Sequence, residues 1–428
     1  MHSLRKAFPM CFFKQILRRM NLFLQYTLII TLQRIGSIAY RYFFSKQKLK
    51  ERRETYKILV VRLDEIGDMV MMSPFLRELR HNYPTSDITL IVKTGVYNLV
   101  EQCPYVNKVL CFPRAEGRWS FYLNLWRGVL FAYHKLRNEN YDLAIVPRFD
   151  ADHIYGAGII AFLSQAEKRV GYSEYVLPDK SRVDKGYDGF YTTVFQSTSK
   201  QVCHEVARNL DVLRFCGKHI SDARLEIWTD EQDVIRAKAL LQGSKSLDSI
   251  TIAVAMAAGR RNKEWPVQSY VLVIKHLQRE IPIQVVLLGA GEQGATYGRD
   301  FCTAVPNTIN LINKTTLRES AELLRLCDCY LGVDTGLMHI AAALKMPGIA
   351  LFANHLDWRW DGIDTPDRFG PWKSSIICLH PPCATFGDEG TLPEESLCIR
   401  GISVELVQEN LAHIIKKQCA CEGDCYLG

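Results

Sequence analysis

From Tyr56 onward the chain alternates between two hydrophobic periods. An unbroken apolar run, Lys57-Ile58-Leu59-Val60-Val61-Arg62-Leu63, leads through a Gly-containing loop into Met69–Tyr83, where apolar positions recur at helical spacing until Pro84. Continuous apolar runs predict strands covered on both faces, and the 3.6-residue period predicts an amphipathic helix. The same reading predicts a strand over Ile88–Val92, a short helical piece over Val106–Phe112, a long aromatic helix over Phe121–Arg137 and a strand over Leu143–Val146. Tyr172–Thr198 is polar, rich in Tyr, Gly and Asp and without sustained period, which predicts a loop or insertion. Helical spacing returns over His204–Phe215.

The alternation then restarts. Strands are predicted at Ile250–Ala255, Val285–Leu288, Thr308–Leu311, Tyr330–Val333 and Gly348–Phe352, with helices at Val267–Arg279, Leu317–Cys327 and Leu337–Leu344 between them. Strands separated by helices imply parallel sheets, so the fold class is α/β, with two Rossmann-like doubly wound domains facing a cleft. The boundaries read as an arm over 1–55, a first domain over 56–225, a second over 226–417 and a Cys-rich tail over 418–428. No short-period repeat is present.

Composition narrows the function classes. With 48% hydrophobic and 23% charged residues in 428, the chain is long enough and apolar enough to build two sizeable cores. The net charge is +7, but residues 1–50 carry ten Lys/Arg and no Asp or Glu, which leaves the remainder mildly acidic. That distribution gives no support to a nucleic-acid partner. The arm interleaves its cations with Phe8, Phe12, Phe13, Ile16, Phe23, Leu24, Tyr42 and Phe43, and its longest uncharged run, Met20–Gln33, is shorter than a membrane span. A peripheral seat on an anionic membrane face suits this pattern; so does an ordinary packed helix with a basic solvated face. No clear cleavage site follows an apolar segment, so export is not expected.

The turn after the first strand, Leu63-Asp64-Glu65-Ile66-Gly67-Asp68-Met69, lacks the glycines of a dinucleotide fingerprint, and no Gly-Lys-Ser/Thr phosphate loop occurs. It places Asp68 at the carboxyl edge of a sheet, where a carboxylate serves as a base or simply caps a helix. In the second half, Asp334-Thr335-Gly336-Leu337-Met338-His339 lies between a strand and a helix, so the amides of Thr335, Gly336 and Leu337 suit a diphosphate, His339 suits donation to phosphate oxygen, and Asp334 suits a sugar hydroxyl or a cap. The loop Ala257–Pro266 brings Arg260, Arg261 and Lys263 to the same edge, and Glu292 in Gly289-Ala290-Gly291-Glu292 suits ribose hydroxyls. Arg148, Asp150, Asp152 and His153 follow the Leu143–Val146 strand, either as readers of an acceptor or as a surface ion-pair cluster. Cys378, Cys383 and Cys398, with Cys419, Cys421 and Cys425 in the tail, suit a structural zinc or iron site or ordinary thiols; no catalytic metal is expected.

Taken together, Lys57–Pro84, Tyr141–Tyr172, His204-Glu205, Arg260–Pro266 and Val333–Phe352 resemble glycosyltransferase family 9, the heptosyltransferase-type family, across most of residues 56–417. The resemblance implies a GT-B arrangement, with the acceptor held by the first domain and a nucleotide-diphosphate sugar by the second, and metal-independent, inverting transfer with no required cofactor. It implies Asp68 as general base and Lys263 as the cation at the departing diphosphate. Asp334 would contact the donor sugar, Thr335, Gly336, Leu337 and His339 the diphosphate, and Glu292 the ribose. The expected donor is ADP-heptose and the expected acceptor a lipopolysaccharide core or related envelope glycan. The loop Ala257–Asn262 departs from the Thr/Ser-rich version of heptosyltransferases, which leaves the sugar open. The alternative is a non-catalytic, membrane-associated sugar-nucleotide-binding or scaffold protein.

Overall fold

A computed structural model describes residues 20–35, 55–117, 119–197, 203–242, 249–353, 365–382 and 399–423, with side chains to 418. Two six-stranded sheets, parallel throughout, form its frame. The first contains β1 (Lys57–Arg62), β2 (Asp87–Lys93), β3 (Lys108–Phe112), β4 (Leu143–Val146), β5 (Lys168–Tyr172) and β6 (Thr193–Phe195), in the order β3-β2-β1-β4-β5-β6. The second contains β7 (Ile250–Ala255), β8 (Ile283–Leu287), β9 (Ile309–Asn310), β10 (Cys329–Val333), β11 (Gly348–Leu351) and β12 (Ile376–Leu379), in the order β12-β11-β10-β7-β8-β9. Both orders are the doubly wound 3-2-1-4-5-6 arrangement, which opens a ligand crevice at the carboxyl ends of the strands flanking the reversal. Those strands are β1 and β4 in one half and β7 and β10 in the other.

The central strands are apolar along their length because helices cover both faces: Ile58, Leu59, Val60 and Val61 are fully buried, as are Ile252 and Ala253. One apolar cluster runs from Met69, Val70 and Val206 in the first half to Met338, Ile340 and Ala341 in the second. The halves therefore share a core. Ion pairs add to the joint, since Arg318 of the second half reaches Glu101 of the first at 3.1 Å and also meets Asp230 and Asp233.

Several predicted elements differ. Lys108–Phe112, within the predicted helical piece, is strand β3; it pairs with β2 at the sheet margin and, half-buried along most of its five residues, shows no alternation to mark a strand. The Met69–Tyr83 helix is two, Ile66–Met71 and Ser73–Asn82, because Pro74 sits in the first turn of the second and supplies no amide to continue the first. The aromatic helix runs Ser120–Phe131 and closes with a π-turn over Ala132–Leu136. The polar stretch after Tyr172 contains the short helix Pro178–Val183 and β6. Residues 20–35 of the arm form a helix packed on the first half, with Ile29 buried among Phe121, Ile159, Tyr187 and Phe190 and Gln33 donating to Gly186 O at 2.7 Å. Among the described residues no helix is long and apolar enough to cross a membrane.

Candidate active site

The chain leaves β1 at Arg62, turns through Leu63–Glu65 and enters the helix Ile66–Met71 with Asp68 in its first turn. The Glu65 amide donates to Asp68 Oδ2 at 3.2 Å, so this carboxylate closes a capping box while its side chain keeps a fifth of its surface open. Burial of the turn pushes the Asp68 carboxyl up to about 6; Arg62, with Nη2 3.5 Å from Oδ1, pulls it down, and Glu205 and Asp150 push it up again. Such a group is ionised at neutral pH and still basic enough to take a proton.

Arg62 is the hub beneath it. Its guanidinium is 2% exposed and meets Glu205 Oε1 at 3.2 Å, Asn209 Oδ1 at 3.1 Å and Asp64 Oδ2 at 2.6 Å, and it donates to Pro147 O. Asp64 in turn pairs with Arg148, and Glu205 and Asp150 pair with Arg368 of the second half at 3.3 and 2.7 Å. Each buried charge thus has a partner, as a desolvated charge requires. The segment around Arg368 is held further by His204, whose Nδ1 accepts from the Val206 amide and whose Nε2 therefore donates to Gly370 O at 3.0 Å. The Trp372 ring packs against the same imidazole, tilted by 40° with centroids 4.5 Å apart.

On the facing half, the helix Gly336–Ala343 begins at the end of β10 with Thr335 at its N-cap. Thr335 Oγ1 is buried beside the Tyr330 hydroxyl, while the first amides of the helix have no intrahelical partner and suit a ligand. Lys263, at the end of a short turn after β7, pairs with Asp334 Oδ2 at 2.7 Å, and both side chains are largely buried. Glu264 fixes the same loop by accepting from the Ala258 amide at 3.1 Å and from Tyr297 OH at 2.7 Å. Burial, with His204 and Lys263 nearby, pushes His339 down to about 3, so its imidazole is neutral and can donate one N–H without carrying charge. Glu292 opens the helix Glu292–Ala304 from an exposed position after β8, preceded by Gly291 at φ +92°.

The two helix starts meet. A Cβ on Gly336 would lie 2.5 Å from Ile66 Cγ2, and one on Gly67 would lie 2.5 Å from His339 Cδ2, so only glycine permits this approach. The Asp68 turn therefore abuts the turn that holds His339, with Lys263 close by.

The model of the family described as "Glycosyltransferase family 9 (heptosyltransferase)" matches residues 130–385, more than half of the chain. The chain belongs to glycosyltransferase family 9. It is 27% identical over 308 residues to lipopolysaccharide heptosyltransferase 2 of Salmonella typhimurium, covering 69% of this chain and 82% of that one. Its fold is that of the glycosyltransferase family 9 protein from Veillonella parvula, at a TM-score of 0.67 and 19% identity over 85% of this chain and 98% of that one. The Escherichia coli heptosyltransferase WaaC, solved with ADP, superimposes at a TM-score of 0.60 and 18% identity over 84% and 99%. These GT-B neighbours agree with the two doubly wound sheets, and the protein is a glycosyltransferase by family.

The residues after the Leu143–Val146 strand, read as an acceptor reader or an ion-pair cluster, part three ways. Arg148 and Asp150 join the buried ion-pair cluster under Asp68, Arg148 with its guanidinium 3.6 Å from the centre of the Tyr155 ring. Asp152 is 1% exposed and turned inward: its oxygens accept from the Ala157 and Gly158 amides at 3.1 and 2.7 Å and start the helix Ala157–Leu163. His153 is anchored by its amide to Asp184 and keeps a partly open ring. Sequence reasoning missed Arg62 and Arg368; the signal for the first was a lone cation inside an apolar strand, two residues before Asp64. Cys378 lies on β12, where burial and nearby Asp334 push its thiol up to about 12. Cys383, Cys398 and Cys425 lie outside the described residues, as do the side chains of Cys419 and Cys421. Among the described residues no three His, Cys, Asp or Glu side chains group as metal ligands.

Proposed function

We infer that the protein transfers a heptose from ADP-heptose, with inversion, onto a lipopolysaccharide-core or related envelope glycan at the cytoplasmic face of the inner membrane. The observation that carries this reading is the apposition of the Asp68 turn and the Gly336–His339 turn across the cleft. The acceptor hydroxyl binds against the first half, hydrogen-bonded to Asp68. The donor lies on the second half with its diphosphate at Thr335, Gly336 and Leu337, where helix-end amides offset negative charge. As the acceptor oxygen attacks the anomeric carbon from the face opposite the diphosphate, its proton passes to Asp68 and the bond to the diphosphate oxygen breaks. The Lys263 ammonium, held by Asp334, and the neutral His339 N–H stabilise the charge that collects on the leaving group. Each carries out a role for which a divalent ion is the usual substitute, so the residues suffice for a metal-independent route. In this reading Asp334 orients the sugar and Glu292 the ribose.

The test is acceptor-dependent release of ADP from ADP-heptose by the purified protein, with anomeric configuration read by NMR of the product. Turnover with UDP- or GDP-sugars alone would remove the donor assignment, and retention of configuration would remove the single displacement.

A further inference from the structure

Among the described residues the helix Ser120–Phe131 exposes one apolar face. Leu123, Trp126 and Leu130 are exposed at i, i+3 and i+7, with Trp119 at the N-cap and Tyr133 in the π-turn extending the line; Trp126 is 63% exposed. These positions fall on one stripe at about 100° per residue, while Phe121, Asn124 and Gly128 face inward. The stripe continues onto a second helix. Tyr122 lies 6.0 Å from Trp119 and donates to Asn21 Oδ1 at 2.6 Å, and beyond Asn21 the helix 20–35 exposes Met20, Phe23 and Leu24.

Charge says what covers this surface. Residues 117–138 contain Arg118, Arg127, Lys135 and Arg137 and no acid, and residues 1–50 contain none either. Lys135 and Arg137 are exposed beside the stripe, Arg137 over the Tyr133 ring at 4.1 Å, and Lys185 lies over the Tyr26 ring on the neighbouring helix. Glu116 and Glu139, the acids that bound this segment, are paired with Arg114 and with Lys57 and Lys108, so the Trp and Tyr rings with their unneutralised cations match the boundary of an anionic bilayer, where rings seat at headgroup depth and cations meet phosphate. The helix also starts from the loop after β3 in which Arg114 pairs with Glu65, the N-cap of the Asp68 helix. A bilayer on this face therefore lies on the acceptor side of the cleft.

We propose that the Trp119–Tyr133 stripe, with Phe23 and Leu24, is a seat for an anionic lipid surface that presents a membrane-embedded acceptor to Asp68. This rests on the glycolipid acceptor of the proposed function, yet its test is separate. The full-length protein is floated with phosphatidylethanolamine vesicles containing phosphatidylglycerol, and Trp emission is followed as brominated phosphatidylglycerol is introduced. Binding that falls with salt, quenching diminished in Trp126→Phe, and partitioning weakened on the order of tenfold in Leu123→Ser/Trp126→Ser/Leu130→Ser are expected, with turnover on a water-soluble acceptor unchanged. Quenching unaltered by Trp126→Phe, or vesicle binding equal in the triple variant, would overturn the seat. So would a lipid-free dimer that the triple variant dissolves, or a stripe that becomes accessible only when residues 1–19 are removed. Vesicle binding that passes every arm while no transfer occurs would leave the seat standing and refute the catalytic reading instead.

Discussion

Replacing Gly336 with Ala tests whether catalysis needs the close approach of the two helix starts. The added Cβ would stand 2.5 Å from Ile66 Cγ2 and 2.7 Å from Ile66 Cβ, against an ordinary carbon contact near ~3.5–4 Å. The Ile66 β-carbon is fixed to the backbone, so the halves must separate by roughly 1 Å to relieve the contact, and a misplacement of that size costs on the order of 100-fold in rate. Gly336 has an ordinary backbone conformation, being absent from the left-handed set, so the substitution adds no backbone strain. Steady-state kinetics should therefore show kcat lowered about 100-fold, with stability lowered by only about 1–3 kcal/mol from overpacking. Because Gly336 also belongs to the diphosphate-binding turn, ADP affinity is measured alongside, and Ile66→Ala is combined with Gly336→Ala to remove the opposing atoms. Recovery of kcat in the double variant is the signature of closure. Parent-like kcat in Gly336→Ala, or no recovery in the double variant, would refute the reasoning.

Other consequences concern single groups. Asp68→Asn should bind ADP normally but lose on the order of 10²–10⁴ in kcat; in the parent, kcat/KM should fall about tenfold per pH unit below about 6, where the raised Asp68 carboxyl takes up its proton, and a profile flat to pH 4.5 would remove the base. Lys263→Ala should weaken ADP binding and lower kcat together, by roughly 2–4 kcal/mol at the transition state, as calorimetry and kinetics on one preparation would show. Arg368→Leu leaves Asp150 and Glu205 without their cross-cleft cation and should destabilise the protein by about 3–5 kcal/mol in chemical denaturation. Asp152, raised by burial and by Asp184 to about 6, stays protonated in the folded chain where the unfolded chain has already ionised. Its contribution to stability should therefore fall as pH rises from about 4 to about 6, by up to about 3 kcal/mol, and Asp152→Asn should remove that share of the slope in urea titrations, leaving the like-signed share of Asp68.

The alternation of apolar strands and amphipathic helices was legible because parallel strands are buried on both faces and advertise it; β1, β2, β4, β7, β8 and β10 all lie under such runs. Margins were not. β6 and β12 carry half-buried patterns of three and four residues, too short to show a period, and β3 shows how an outer strand reads as a helix. Within the site, strand-to-helix turns put Asp68, Lys263, Asp334 and His339 at a sheet edge, where each reads equally as a cap or a structural residue, and their roles came from the family resemblance. The cluster beneath them did not, since Arg62 meets Glu205 across 143 residues and Arg368 meets Asp150 across 218, and no local spacing records such pairs. Asp152 illustrates the converse. It shares a loop with Arg148 and Asp150, yet its carboxylate is taken up by two helix-starting amides.

The most direct measurement of the central claim is a calorimetric titration of the purified protein with ADP, UDP, GDP and ADP-heptose, paired with ADP release in the presence of a heptose-deficient core glycolipid, for the parent and Asp68→Asn. The account predicts selective binding of the ADP ligands by both proteins and acceptor-dependent ADP release by the parent alone. Failure of every nucleotide to bind, or equal release by Asp68→Asn, would contradict it.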